Sequence, residues 1–425
     1  MTGSVLIVLA AVLWALDGLL RRSLYSLPPL TIVFLEHLVG LVLLAPFTVK
    51  IFAEVKQWHW RQWSWGAWIA ILSSVLGTLW FTTALLSVQF LPFSVVFLLQ
   101  KLQPVFVLIT SVWMLGERPS KSRWLWSMAA LGAAYFVTFP LGQVNFLTGA
   151  GTLKAAGFAL AAAVAWGSST VFSRLLLQTQ SNVTTLGVRF GIATLVAGLM
   201  LWLWPSQQAL TSVTPTQIGT LLMIALSTGL VGLAIYYRGL ATTSPSVATI
   251  LELAFPMLAV LIDGVVYHVV LDSSQYLAAG VLFLAAWQVA RTGKNGLPVK
   301  FQSHKVAGDG RGQTLGFPTI NLAIPWNLVL TPGIYAVWIW LDGQKYPGAL
   351  HYGEVPTFGK FKRTLEVFVL TSKNLPNSQM LQAEISVLVV QKLREVTKFS
   401  DSKSLVAQME QDVALVREIL VKSEP

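Results

Sequence analysis

The chain contains no cysteine, which excludes disulfides, thiolate metal centres and thiol nucleophiles. Charge is the second shortage. Only 11% of residues are charged, against roughly 25% in soluble domains. The deficit is uneven: residues 1–294 hold 15 Lys/Arg and 7 Asp/Glu, whereas 295–425 hold 14 and 11. The first part reads as membrane-embedded and the last as soluble. A net charge of +11 would suit a nucleic-acid binder, but most of the excess lies between hydrophobic segments, where it reports topology instead. No nucleic acid is expected. The N-terminus lacks a basic leader and a small-residue cleavage site, so residues 4–20 read as a retained transmembrane helix. Neither Ser nor Thr follows Gly293-Lys294, which excludes a Walker A loop there.

A span takes about 20 mostly apolar residues. Ten stretches fit, near 4–20, 30–48, 66–87, 92–116, 122–140, 153–173, 183–204, 216–240, 245–267 and 274–291. The longest connection carries Trp58, Trp60, Trp63 and Trp65, which suit the headgroup layer. An internal repeat runs at an offset of 152: Trp14 matches Trp166, Arg22 matches Arg174, His37 matches Arg189, Gln100 matches Glu252 and Pro104 matches Pro256. Each half, about 1–145 and 150–292, therefore carries five spans. An odd number inverts one half relative to the other and places a binding site at their interface. Basic residues gather on one side (Lys50, Lys56, Arg61, Arg118, Lys121, Arg123, Arg174, Arg291 and Lys294), with little beyond Arg21 and Arg22 on the other. The positive-inside rule puts both termini in the cytoplasm, as expected of a multi-pass protein of a bacterial-type plasma (inner) membrane.

Polar groups within spans are costly and default to functional candidates. They are Asp17, Glu36, His37, Gln100, Lys101, Gln103, Arg189, Arg238, Glu252 and Asp263. Gln100 and Glu252 each stand four residues before a proline, which frees a carbonyl one turn back. They are expected to face a central transport cavity with Trp14, Asp17, Trp80, Lys101 and Tyr236. Glu36, His37 and Arg238 are read instead as pairing internally or sitting near an interface. Lys101 could pair with Glu252 or Asp17, or meet a ligand carbonyl. Trp14, Trp80, Phe81, Tyr236 and Tyr237 suit either stacking on a flat ring or plain packing.

After a linker at 293–298, residues 299–425 read as β followed by one helix. Ile334–Leu341, Leu365–Leu370 and Ile385–Val390 are rich in β-branched and aromatic residues. A turn is expected at Asp342-Gly343 and another at Gly359-Lys360. Leu405, Met409, Val413, Val416 and Leu420 form one apolar stripe of a helix over 401–420. The chemistry-bearing string is Gly308-Asp-Gly-Arg-Gly312 followed by Phe317-Pro-Thr-Ile-Asn321. Alternating glycines can turn backbone N–H groups around an anion. Thr319 and Asn321, two apart on an extended segment, point the same way and offer hard oxygens for Mg²⁺ held with nucleotide phosphates. A Gly-rich turn before an ordinary strand fits the same string.

That string resembles the signature of riboflavin kinases, a Gly/Arg-rich loop leading into Gly-Phe-Pro-Thr-Ala-Asn, with Ile320 the one departure from its core. Pro332-Gly-Ile-Tyr335, Gly353 to Phe358, Leu365-Glu366-Val367, Leu393-Arg394 and Lys398-Phe399 follow in the family's order. The resemblance implies a six-stranded antiparallel β-barrel with a C-terminal helix. It implies ATP binding by Gly308, Gly310, Arg311, Gly312, Thr319 and Asn321, with Mg²⁺ on Thr319 and Asn321. Glu366 becomes the catalytic base, and Arg394, Lys398 and Phe399 flank the flavin. Phe368 stands where the family often carries His, and a Tyr-Gly pair is absent around Asn377–Met380. Residues 1–292, with ten spans and Leu102-Gln-Pro-Val-Phe106 running to Leu115-Gly-Glu-Arg118, resemble EamA-type drug/metabolite transporters. The expected whole is a membrane all-α part of ten transmembrane helices in two inverted five-helix repeats, fused to that barrel. Its expected function is riboflavin uptake coupled to ATP- and Mg²⁺-dependent phosphorylation to FMN. The alternative is a transporter gated by a domain that binds flavin or nucleotide without turnover. Riboflavin, ATP and the lipid bilayer are the expected partners, with a homodimer as one allowed assembly.

Overall fold

Helices occupy the apolar part and a sheet the remainder. The computed structural model describes residues 3–21, 24, 26–87, 95–100, 102–117, 119–144, 146, 151–205, 209–255, 258, 272–292, 298–308, 313, 316–355, 360–370, 384–399 and 401–422. Its packing divides into two units, residues 1–111 with 121–294, and residues 112–120 with 295–425.

The helical unit begins with α1 (Gly3–Arg21), α2 (Pro29–Leu43), α3 (Thr48–Val55) and α4 (Trp60–Trp68). A π-helix (Ile69–Gly77) joins α4 to α5 (Thr78–Ser87), and α6 (Val95–Gln100), α7 (Gln103–Leu115) and α8 (Lys121–Thr138) follow. The second half holds α9 (Thr152–Leu177), α10 (Asn182–Leu203), α11 (Pro215–Leu226), α12 (Leu230–Leu240), α13 (Pro245–Leu251) and α14 (Ser273–Thr292). Starts follow their capping residues. Thr214 Oγ1 accepts from Gln217 N (3.3 Å) while Gln217 Oε1 accepts from Thr214 N (2.9 Å), a reciprocal cap on α11. Ser181 caps α10 through Thr184 N.

Among the described residues, four helical stretches are long and apolar enough to cross a membrane: Trp60–Ser87, Thr152–Leu177, Asn182–Leu203 and Pro215–Leu240. The pair Pro29–Leu43 and Ala45–Val55, bent by 51°, adds a fifth if it is one span. The expected span near 92–116 contains two helices, α6 and α7. Pro104 lacks the N–H that would bond one turn back, and its ring crowds that carbonyl. Close packing uses small residues. A Cβ on Gly239 of α12 would lie 2.7 Å from the Gly3 carbonyl of α1, so glycine permits that approach. Leu195, Leu199 and Trp202 of α10 and Leu277 and Phe283 of α14 are exposed, as suits surfaces facing hydrocarbon.

The sheet unit has six antiparallel strands, β1 (Val299–Ser303), β2 (Thr319–Asn321), β3 (Gly333–Leu341), β4 (Gln344–Val355), β5 (Lys360–Val369) and β6 (Ile385–Arg394), in the order β1-β6-β3-β4-β5-β2. The sheet curls into a half-barrel rather than a continuous barrel ladder. Its edges are tied by a bridge between Lys305 and Leu322, with Val306 N–H donating to Asn321 O (2.9 Å). Asp342 (φ 50°) and Gly343 (φ 80°) make the expected tight turn between β3 and β4. In the segment 112–120, Glu117 bridges to Val299. Tyr335, Val337, Ile339, Leu350, Val367, Val387 and Val389 fill the inner core. On the outer face α15 (Ser402–Lys422) buries Val416 and Leu420 against Ala336 and Trp338, two members of the expected stripe. Asp401 caps this helix by accepting from Ser404 N (2.8 Å). Leu420→Ala is expected to cost the sheet unit about 2–4 kcal/mol, read as lost hydrogen-exchange protection of α15 and β3 amides in the full chain.

Candidate functional site

Strand alternation sorts the sheet unit's residues into two sets. Ile320, Leu350, Leu365 and Val367 are buried in the core, which leaves Thr319, Asn321, His351, Glu366 and Phe368 on the other face. Register then decides what meets. β2 pairs with β5 so that Asn321 stands opposite Glu366 and Thr319 opposite Phe368. From the other side β4 sets His351 opposite Glu366. One row across three strands thus reads His351, Glu366, Asn321. Thr319 Oγ1 donates to Glu366 Oε2 at 3.2 Å, which spends its proton and leaves the oxygen's lone pairs available. Thr364 Oγ1 and His351 Nδ1 lie 3.4 Å apart.

Gly308 lies against this row. A Cβ there would come within 2.0 Å of Asn321 Nδ2, so any larger residue at 308 would have to displace the Asn321 amide from its position. Gly310, Arg311 and Gly312 lie outside the described residues. Phe317 packs edge-on against Phe368, with ring centroids 5.1 Å apart, so the position occupied by Phe368 is apolar. Among the described residues no group of three or more His, Asp or Glu side chains could enclose a metal. The donors present are hydroxyl, amide and carboxylate oxygens. They fit a hard cation whose remaining ligands come from phosphate and water.

Of the expected flavin-side residues, Arg394 and Phe399 meet. Arg394 is clamped by Asp412 of α15, Nε to Oδ1 at 2.9 Å and Nη2 to Oδ2 at 2.7 Å, and its guanidinium lies 5.6 Å from the Phe399 ring centre. Lys398 is exposed. Asp412 escaped the sequence reading because an acid beside an apolar helix stripe reads as solvent-facing, yet here it is buried. His351 carries no local signal.

In the helical unit the polar candidates meet at broken helices. Glu252 caps the end of α13, and Gln103 opens α7 after the break that follows Gln100. Tyr236 Oη donates to Glu252 Oε1 at 2.5 Å and Gln103 Nε2 to Oε2 at 3.4 Å. Trp14 packs on Tyr236 (5.1 Å) and donates from Nε1 to Thr228 O (2.9 Å). Trp14, Tyr236 and Glu252 therefore converge, joined by Gln103, which was a polar candidate without an assigned role. Trp80 and Gln100 are half-buried. Lys101, Asp263 and the Asp17 side chain lie outside the described residues. A second polar node, unassigned in the sequence reading, forms around Arg189. It donates to Ser73, Ser74 and Tyr237.

The EamA-like transporter family model matches residues 1–139 and again 153–291, and the riboflavin kinase (Flavokinase) model matches 295–420. The riboflavin transporter ImpX of Fusobacterium nucleatum is 30% identical over 302 residues, 68% of this chain and 97% of that protein. The bifunctional riboflavin kinase/FMN adenylyltransferase of Bacillus subtilis is 31% identical over 118 residues, 28% of this chain and 37% of that one. Its Escherichia coli K12 counterpart is 30% identical over 131 residues, 31% and 41% of the two chains. This chain spans about two fifths of the length of those kinases. One crystal structure superposes with a TM-score of 0.56 at 17% identity over 68% of this chain and 96% of the other, which shows a shared fold. Because Asp412 is the buried acceptor for Arg394, Asp412→Ala is expected to destabilise the sheet unit by about 3 kcal/mol. Limited proteolysis of α15 in the full-length protein reads that loss.

Proposed function

The chain belongs to the EamA-like transporter family and carries a C-terminal riboflavin kinase domain, and we propose that it brings riboflavin across a membrane and phosphorylates it to FMN. The proposed transporter is residues 1–292, ten spans in two inverted repeats. The family model, which begins at residue 1 and again at 153, supports that pairing. The linker is 293–298 and the kinase 299–425. The proposed setting is a bacterial-type inner membrane with both termini, and so the ATP-using domain, in the cytoplasm.

One observation carries the catalytic half: Thr319, Asn321 and Glu366 share a face, with the Thr319 hydroxyl on the Glu366 carboxylate. In the proposed reaction Glu366 accepts the proton of the ribityl 5′-hydroxyl as that oxygen attacks the γ-phosphorus of ATP. The bond from the γ-phosphorus to the β,γ-bridging oxygen breaks, and ADP departs. Mg²⁺, when bound with ATP, supplies neutralisation of phosphate charge. Thr319 and Asn321 would hold it through their oxygens. Thr319 also orients the base, and Gly308 brings its loop onto the Asn321 amide, beside which the phosphates would lie. In the transporter half, similarity to a riboflavin transporter and the ring pair Trp14–Tyr236 beside Glu252 support a flat, hydrogen-bonding ligand.

Glu366→Gln keeps the shape and removes the base, so FMN formation by the full-length protein with riboflavin, ATP and Mg²⁺ should fall by about a hundredfold or more. Unchanged FMN production would remove Glu366 from the reaction. A wild-type protein that makes none would leave the domain a flavin or nucleotide sensor. Gly308→Ala, by displacing the Asn321 amide, is expected to raise the KM for Mg-ATP more than that for riboflavin, measured by FMN fluorescence after separation from substrate.

A further inference from the structure

Arg189 of α10 is the second polar node of the helical unit. Its Nε donates to Ser74 Oγ, Nη2 to Ser73 Oγ and Nη1 to Tyr237 Oη, each at 2.8 Å. Tyr237 in turn shares a hydrogen bond with Ser173 of α9 at 3.2 Å. All three acceptors are neutral hydroxyls. Among the described residues no carboxylate makes an ion pair with Arg189. A guanidinium has five N–H donors, and three are engaged.

Two features set this arginine apart from a plain cross-link between helices. Ser73 and Ser74 come from the π-helix within the span Trp60–Ser87, a distortion that recurs at functional sites. The backbone there is held open. Trp166 Nε1 and Thr78 Oγ1 both donate to Ser73 O, at 3.0 and 3.2 Å, and Gly77 admits the Trp166 indole, which a Cβ would meet at 2.5 Å. Accessibility is the other feature. Ser73, Ser74, Ser173 and Tyr237 are buried, whereas Arg189 keeps accessible surface. The exposed apolar residues Leu195, Leu199 and Trp202 of α10 lie well round the helix from it, judged by a 3.6-residue turn. Arg189 thus offers unused donors away from the face those residues present.

Tyr237 adjoins Tyr236, with ring centroids 6.2 Å apart, and Tyr236 is bonded to Glu252. Arg189 thus bonds one member of this aromatic pair and Glu252 the other. A ligand reaching both would meet N–H donors at Arg189 and a carboxyl oxygen at Glu252. We propose that Arg189, held by Ser73, Ser74 and Tyr237, binds the carbonyl oxygens of an uncharged, flat heterocyclic ligand of the helical unit. It rests on the reading of this unit as a riboflavin transporter, because riboflavin carries two such carbonyls on one ring edge. A guanidinium gains most in an apolar phase from an extra strong acceptor. Glu252 then takes N–H or O–H donors of the same ligand.

The test is the initial rate of riboflavin uptake by cells expressing the full-length protein, compared with an analogue whose ring C=O is replaced by C=S, a weaker acceptor. Wild type is expected to favour riboflavin by about tenfold in KM, the scale of one charge-assisted hydrogen bond. Arg189→Gln should raise the riboflavin KM by about tenfold and abolish the preference, and Arg189→Lys should restore part of it. The preference is a ratio within one variant, so a change in folded protein leaves it untouched. Should Arg189→Gln fail to reach the membrane, Ser74→Ala must lower the same preference. Retained preference in whichever variant is expressed would reduce Arg189 to a structural cross-link and overturn the proposal, with riboflavin uptake itself intact. Competition by neutral amino acids in wild type, lost in Arg189→Gln, would assign the site to a carboxylate and overturn it too. No riboflavin uptake by wild type would instead defeat the transporter reading beneath it.

Discussion

In hydrocarbon no water stands ready to satisfy a polar group, so each must find a partner within the protein, on its own helix, as Thr138 and Thr194 do, or on another. The helical unit is organised by that constraint. The Trp14 indole ends on Thr228 O, between α11 and α12. Trp166 ends on Ser73 O in the π-helix. Arg174 donates to Leu240 O (2.7 Å) at the end of α12, and Gln275 to Val137 O (2.9 Å) in the last turn of α8. In every case a side-chain N–H meets a carbonyl that an interrupted or ending helix leaves short of its own bond. Breaks in the backbone and polar residues in the spans are therefore one phenomenon. Both accumulate around Glu252 and around Arg189, which is why the ligand contacts proposed above are placed there.

The sheet unit reaches convergence by register instead. Thr319 and Asn321 lie 45 or more residues from Glu366 in sequence, and a one-residue slip of β2 against β5 would turn Thr319 and Asn321 into the core. Ile320 prevents that slip, because it is the β2 side chain buried with Leu322, Leu365 and Val367. An apolar residue between the two polar ones is thus part of what aims them.

How much of this was legible follows from whether the signal is local. β3, β5 and β6 announced themselves by β-branched and aromatic runs, and Asp342-Gly343 by its turn chemistry. β4 did not, since Pro347, Gly348 and Gly353 interrupt it, and His351 was lost with it. Long apolar stretches marked the first part as helical and periodicity marked the C-terminal helix, but the break before Gln103 came from Pro104 acting on a segment whose hydropathy runs on. The π-helix has no sequence signature, so Ser73 and Ser74 passed as ordinary span residues. Asp412 looked like a solvent-facing acid because its partner, Arg394, lies on another element. The motif named Thr319, Asn321 and Glu366, and only the strand register could show that they meet.

The proposed function has the two units handle different charge states of one molecule, which would give their fusion a physical logic. In the helical unit Arg189 bonds Tyr237 and Glu252 bonds the adjacent Tyr236, and the ligand proposed there is uncharged. The proposed reaction in the sheet unit adds nearly two negative charges. On insertion scales each full charge at the centre of a membrane costs about 2.5–3.5 kcal/mol. Two such charges therefore lower occupancy of the same path by a factor of about a thousand or more. In the function proposed above, return would be suppressed without any gate, and the inward gradient of free riboflavin would persist as long as ATP is spent. The transporter family match ends at 291 and the kinase match begins at 295, and on the proposed function riboflavin released near so short a linker would meet the kinase at a raised local concentration. A trap of this kind needs no ion coupling in the helical unit. That is consistent with a site built from hydroxyls, tyrosines and one charge of each sign.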